Sequence, residues 1–282
     1  MTTEYLSLAK SLVQLSFQED FDGRGDITTE AICQQEVISQ ARIIAKQEGI
    51  VCGLEAAGYG FLHLDENIDI HYQVSDGERV ENQQTIMTIK GKIAVILRAE
   101  RTALNFLGRL SGIATMTNSF VQKIAFSNAR ILDTRKTTPG WRFLEKYAVR
   151  CGGGENHRFG LYDMFLIKEN HITQAGGIKP AVLQCHSFMN KHQFKVPIEV
   201  EVKTIDQVRE ALDLQVNRIM LDNMSIGDME KAVKLVNRRT ELEASGNVSL
   251  KDIEKIAATG VDYISIGALT HSFPVFDFSL LL

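Results

Sequence analysis

No C-x-x-C pair, no apolar run approaching the ~20 residues of a membrane span, and no surplus of basic charge occur in this 282-residue chain. The four cysteines, Cys33, Cys52, Cys151 and Cys185, are widely scattered. That spacing supports neither a disulfide framework nor a zinc site, so they read as reduced thiols. With 31 Lys+Arg against 35 Asp+Glu, the formal charge is -4. That argues against a general nucleic-acid binder but leaves room for a local basic pocket. The opening MTTEYLSLAK has an acid near its start and no apolar h-region, so neither a secretory signal nor a membrane partner is expected, and the expected location is cytoplasmic. No G-x-G-x-x-G turn follows the first strand–helix unit, which weighs against a doubly wound dinucleotide-binding sheet.

What is present divides into two styles. Residues 4–17 place Leu8, Leu12 and Leu15 at helical spacing, predicting an amphipathic helix. DFDGRGDITTE carries Asp20, Asp22 and Asp26 like the opening of a calcium loop, but Arg24 and Ala31 stand where acids belong. SQARIIAKQ, IDIHYQVSDGERV and QTIMTIKG read as short strands, and the segment from IAVILRAERTALNFLG onward as one or two long helices. Residues 1–112 are therefore expected to form a small α+β domain. From residue 129 strands and helices alternate: ARILDT, DMFLIK, PIEVEV, NRIMLD, ELEAS and DYISIG, with helical patterns such as WRFLEKYAVRC, IDQVREALDL and GDMEKAVKLVNRR between them. Successive βα units imply a parallel sheet covered by helices, closed or nearly closed into a barrel over residues 113–272. PVFDFSLLL belongs to no unit, and residues 273–282 are expected to pack back on the first domain.

Every strand candidate ends in charged or small polar residues, Asn223 beside Asp222 among them, and in a βα barrel those ends converge on one face. Arg101, Arg135, Arg158 and Lys168, with His157, would form a strongly positive pocket suited to a ligand with two carboxylates. Glu201 and Asp222, on successive strand ends, suit Mg2+ or sugar hydroxyls. The SGN and IGA turns after the last two strands offer backbone N–H groups to phosphate. Lys203 and Arg142 read as surface or helix charges. His171 reads as satisfying a local hydrogen bond, and His63, His71, His186 and His192 as structural or solvated.

The stretches AERTALNFLGRLSGIAT, DTRKTTPGWRFLEKYAVRCGGGENHRFGLYDMFLIKENH, IEVEV, IMLDNM, EASGN and YISIGALTHS resemble the quinolinate phosphoribosyltransferase (nicotinate-nucleotide pyrophosphorylase) family over nearly the whole chain. The resemblance implies an α/β class fold: an N-terminal α/β sandwich and an incomplete, seven-stranded α/β barrel. It implies conversion of quinolinate and phosphoribosyl pyrophosphate to nicotinate mononucleotide, pyrophosphate and CO2 in NAD biosynthesis, with Mg2+ as cofactor. The chain lacks the acidic phosphosugar loop of commoner phosphoribosyltransferases, as that family does. By matching motif, Arg101, Arg135, His157, Arg158 and Lys168 resemble the quinolinate contacts, and Lys136 the diphosphate-side lysine. Glu201 and Asp222 resemble ligands of ribose and of Mg2+, direct or through water. Lys136, Glu201 and Asp222 are thus the expected catalytic set. Ser245, Gly246, Asn247, Gly267 and His271 resemble the phosphate set, with Thr134, Ile266 and Ala268 beside them in the substrate-binding list. The resemblance further implies a homodimer in which Arg101 reaches into the partner's barrel. A related group linked to molybdenum transport shares DTRKT and the barrel; the intact LIKENH favours the pyrophosphorylases. Two readings of other classes stand beside this one: a phosphoribosyltransferase using another acidic ring without decarboxylation, and a non-catalytic anion-binding regulator. A regulator could dispense with Glu201 and Asp222.

Overall fold

Two units make up the chain in the computed structural model, which describes residues 3–33 and 36–282. In chain order the elements are α1 (Thr3–Phe21), α2 (Ile27–Ile32), β1 (Ile38–Ala45), β2 (Gly49–Ile50), α3 (Leu54–Leu64), β3 (Asp69–Tyr72), β4 (Arg79–Val80), β5 (Thr85–Lys92), α4 (Ile93–Lys123) and β6 (Arg130–Leu132). Then follow α5 (Arg142–Cys151), β7 (Phe165–Ile167), α6 (Glu169–Ala175), α7 (Ile178–His192), β8 (Ile198–Val202), α8 (Ile205–Asp213), β9 (Arg218–Asp222), α9 (Ile226–Val236), β10 (Glu241–Ser245), α10 (Ile253–Ala258), β11 (Tyr263–Ser265), α11 (Ala268–His271) and β12 (Phe278–Leu281). Among the described residues no helix is long and apolar enough to cross a membrane.

Unit 1 gathers the described residues to Asn118, Thr138–Gly153 and Ser272–Leu282. Its main sheet runs β12-β1-β5-β3, with antiparallel pairing throughout. The orphan tail of the sequence is thus an edge strand: β12 pairs with β1 from Arg42↔Leu281 to Ala45↔Phe278. α1 forms as the sequence predicts, but its buried face is Tyr5, Ala9, Val13 and Phe17, while Leu15 is 51% exposed. The deciding stripe repeats every four residues and carries aromatic rings: Tyr5 meets Phe143 and Tyr147, and Phe17 stacks on His63. Asp26 is a helix cap, not a calcium ligand; its Oδ1 accepts from the backbone N–H of Thr28 at 3.1 Å and of Thr29 at 3.0 Å, opening α2. All four cysteines are free, with Cys52 alone fully buried.

The division of the chain differs from the sequence boundaries. α4 continues past residue 112, and the segment Thr138–Gly153 clusters with unit 1. α5, which the sequence reads as a barrel helix, is held there by charge. Glu145, fully buried, pairs with Arg109 of α4 and accepts the backbone N–H of Thr138 at 3.1 Å. The Arg109 guanidinium lies 5.1 Å from the centres of both the Trp141 and Phe273 rings.

Unit 2 holds Ser119–Thr137 and Gly154–His271, and its six strands are parallel in the order β6-β11-β10-β9-β8-β7. The resemblance implied seven. The seventh position is a single bridge residue, Glu155, paired in parallel with Leu132. Glu155 N–H donates to Ile131 O at 2.8 Å and its carbonyl accepts Asp133 N–H at 3.2 Å. The next residues turn onto the Asp133 carboxylate, which accepts Asn156 Nδ2 at 2.5 Å and His157 N–H at 2.9 Å, so the strand goes no further. Along β8 to β11 the side chains alternate. Ile198, Val200, Val202, Ile219, Leu221, Leu242, Ala244 and Ile264 are buried on one face, and Glu199, Glu201, Arg218, Met220, Asp222, Glu243, Ser245 and Ser265 occupy the other. The barrel interior is therefore largely polar, where branched aliphatic layers are usual.

Candidate functional site

A cavity of 770 Å³ opens at the carboxyl ends of these strands. Its lining takes in Thr134, Arg135, Lys136, His157, Arg158, Lys168, Glu201, Asp222, Ser245, Gly246, Asn247, Ile266, Gly267, Ala268 and His271, all in unit 2. Arg101 is not among them; it is exposed on α4 in unit 1. Asn223, marked from sequence as a polar strand end, and Leu166, Met220, Glu243, Val248 and Ser265, which were not, complete the lining.

The turn after β6 is built for cations. Thr134 Oγ1 accepts Lys136 N–H at 3.0 Å, and Thr270 Oγ1 donates to Lys136 O at 2.8 Å, fixing the lysine backbone. A Cβ at Gly267 would fall 2.9 Å from Lys136 Cδ and 3.3 Å from His271 Nε2, so the glycine lets the two side chains share this corner. Arg158 Nη1 donates to Met164 O at 3.0 Å. Burial and the nearby Arg135 charge pull the Arg158 guanidinium below its ordinary pKa. The Arg135 Nε–H is buried and finds no acceptor among the described residues. Lys168 Nζ lies 3.0 Å from Glu201 Oε2, while Lys168 N–H donates to His171 Nδ1 at 3.0 Å, the local bond expected of His171. Lys203 pairs with exposed Glu169 at 2.6 Å, as a surface charge does.

Beside the cations stand acids and tight turns. Asp222 Oδ1 accepts Asn223 Nδ2 at 2.9 Å, and Asn223 Oδ1 accepts Asn247 Nδ2 at 3.3 Å. Asn223, Gly246 and Asn247 all have positive φ, at 52°, 106° and 47°. This left-handed backbone suits asparagine and glycine. Glu201 and Asp222 supply two carboxylates and no imidazole, a donor set that fits Mg2+ bound mainly through substrate oxygens and water.

A buried charged cluster forms part of the cavity floor. His157 Nε2 is 3.1 Å from Glu199 Oε2 and 3.5 Å from Glu243 Oε2. Glu243 is also 3.0 Å from Arg218 Nη1 and accepts Ser265 Oγ, and Arg218 lies 3.9 Å over the Tyr263 ring. Burial pushes the Glu199 carboxyl up to about 7. Burial lowers the His157 pKa, but the two glutamates outweigh it and raise the imidazole. Against that second proton, His157 Nδ1 accepts Arg158 N–H at 2.7 Å. Nε2 keeps its proton in either state, facing the glutamates. Ligand atoms of His157, Glu199 and Glu243 lie within 4.8 Å of one another, and Arg218 pairs with Glu243 beside them.

The arrangement can hold a dianion against Arg135, Arg158 and Lys168, a phosphorylated sugar against the glycine turns, and a hard cation at the acids. Residues 26–111 match the family described as "Quinolinate phosphoribosyl transferase, N-terminal domain", and residues 113–281 match the corresponding C-terminal domain. The chain is similar to quinolinate phosphoribosyltransferase (decarboxylating) 1 of Nicotiana glauca, with 43% identity over 286 residues covering 96% of this chain and 81% of that protein. The chloroplastic nicotinate-nucleotide pyrophosphorylase (carboxylating) of Arabidopsis thaliana is 41% identical, over 96% of this chain and 82% of that protein. Among solved structures, the nicotinate-nucleotide pyrophosphorylase from Francisella tularensis aligns with a TM-score of 0.93 and 42% identity, covering 98% of this chain and 96% of that one. NadC from Streptococcus pyogenes aligns at 0.94 and 36%, covering 100% and 97%.

Proposed function

The chain belongs to the quinolinate phosphoribosyltransferase family, and from that premise we propose how its cavity carries out the family's reaction. It is an enzyme of NAD biosynthesis that transfers phosphoribosyl from phosphoribosyl pyrophosphate to quinolinate with loss of CO2. The observation that carries the assignment of roles is the buried, acceptor-less Nε–H of Arg135 beside Arg158 in the cavity lining. Such a donor is satisfied by an anionic ligand, and two guanidiniums at one place suit two carboxylates.

In this reading Arg135, Arg158 and Lys168 bind the quinolinate carboxylates and hold the ring nitrogen in line with the ribose carbon. Ser245, Gly246, Asn247, Gly267 and His271 hold the 5-phosphate. Lys136 faces the leaving pyrophosphate, where its ammonium offsets charge as the ribose develops oxocarbenium character. Glu201 and Asp222 bind the ribose and would hold Mg2+, which when bound would neutralise pyrophosphate charge. After attack, the quaternary ring nitrogen stabilises the carbanion left by CO2, which takes a proton from water to give nicotinate mononucleotide. The proposal includes a homodimer in which exposed Arg101 completes the partner's carboxylate subsite, and a cytoplasmic setting, to which four free thiols are suited. The test is purified protein with quinolinate, phosphoribosyl pyrophosphate and Mg2+. Release of one CO2 per nicotinate mononucleotide is expected; transfer without CO2 release overturns the reading.

A further inference from the structure

Glu199 has no part in the mechanism above, yet it is the least comfortable residue in the barrel. Its side chain is fully buried, and neither carboxylate oxygen has a hydrogen bond of good geometry among the described residues. Its neighbour Glu243 is answered by Arg218 and Ser265, whereas Glu199 faces only the His157 ring among the described residues, with Nε2 at 3.1 Å. A leucine of similar volume would serve the fold at least as well, since replacing a buried charge by a packed apolar group is often neutral or stabilising. A carboxylate kept in such a place calls for a functional reason.

The contacts supply one. Glu199 meets His157; His157 in turn accepts the Arg158 backbone N–H at 2.7 Å; and the Arg158 side chain lines the cavity, anchored at Met164 O. We propose that Glu199 is a positioning residue for the dicarboxylate subsite: through the His157 ring it fixes the backbone at Arg158, and with it the place of the Arg158 guanidinium in the cavity. This rests on the reading that the subsite takes quinolinate. Pre-organisation of this kind is expressed as affinity for one substrate, not as stability.

The experiment compares the parent with Glu199→Leu and Glu199→Gln. Thermal unfolding, quinolinate binding by calorimetry and KM for phosphoribosyl pyrophosphate are measured on each. Removing the acid leaves no stranded charge, because His157 can stay neutral and still has Glu243 at 3.5 Å. Glu199→Leu is therefore expected to unfold at the parent's temperature or above. It should bind quinolinate about tenfold more weakly or worse, the loss typical when a group supporting a ligand-binding residue is removed. KM for phosphoribosyl pyrophosphate should stay within about twofold, as for a site that does not couple. Glu199→Gln keeps an acceptor for His157 without the charge and should fall between. Should Glu199→Leu fail to fold, the glutamine variant carries the comparison alone. Parent-like quinolinate affinity in both variants, or equal losses for both substrates, overturns the proposal. A parent that binds quinolinate but releases no CO2 overturns the reaction reading while this comparison still stands. A parent that does not bind quinolinate overturns both.

Discussion

At Gly246 a Cβ would sit 2.2 Å from Asn223 Oδ1, and the backbone φ of 106° is one that other residues resist. Gly246→Ala therefore pushes on Asn223, and through it on the Asp222 carboxylate. We expect KM for phosphoribosyl pyrophosphate to rise about tenfold or more while quinolinate affinity holds, read by steady-state kinetics and calorimetry. The cations predict a second discrimination: nicotinate, lacking the 2-carboxylate, would leave Arg135 or Arg158 unpaired in a buried place. Its kcat/KM should be at least about a hundredfold lower than that of quinolinate, and comparable values would undo the carboxylate assignment. Single residues of this site were legible to different degrees. Glu201 and Asp222 could be read because a parallel strand that ends in an acid is ending at a barrel's working face. Glu199 and Glu243 left a signal that passed unread, the acids at every second position in IEVEV and ELEAS. Both faces of such strands are buried, so the alternation itself meant a polar interior. Asp133 left no pattern at all, since its carboxylate serves Asn156 and a backbone N–H brought close only by the fold.

Among the elements, strands were the easier to read. The β8 to β11 cores fall within a residue or two of the apolar runs, because a strand covered on one face by helices must be apolar at alternate positions. Helix faces were harder: the leucines of α1 offered a plausible stripe, but Tyr5, Ala9, Val13 and Phe17 had partners. α6 and α7 carried usable marks, Gly176 in left-handed conformation closing α6 and the buried series Ile178, Ala181, Val182 and Met189 along α7. α5 shows why its placement was not legible. Its tie to unit 1 is a charge, Glu145, buried in the middle of a helix that otherwise reads as amphipathic. Removing that acid leaves Arg109 facing Trp141 and Phe273 with no counter-charge. Glu145→Ala should lower stability by about 3 kcal/mol in denaturant unfolding, against a fraction of that for the exposed pair Arg209–Asp206.

For the molecule as a whole, the proposed dimer makes a claim that mixing can settle. Arg101→Ala and Lys136→Ala should each be inactive alone. After subunit exchange, a mixed dimer has one site with an intact barrel and an intact partner arginine, so random pairing restores about a quarter of parental sites. Exchange without recovered activity would confine Arg101 to its own chain or remove it from the reaction. The overall architecture and its six parallel strands were legible from the rhythm of βα units; the seventh position, which only the resemblance implied, is one residue bridging Leu132. The return of the tail to unit 1 was legible, because PVFDFSLLL belongs to no βα unit, but its place as an edge strand was not: the sheet receives β12 only after the strands of unit 2 have passed. On the ribosome this reverses the order suggested by reading from the first residue. The barrel has all of its strands as soon as residue 265 emerges, while β1 must wait with one edge bare until residues 278–281 arrive. In nascent chains the first sheet begun is the last one completed, and for that interval its open edge is the part of the protein most in need of a chaperone.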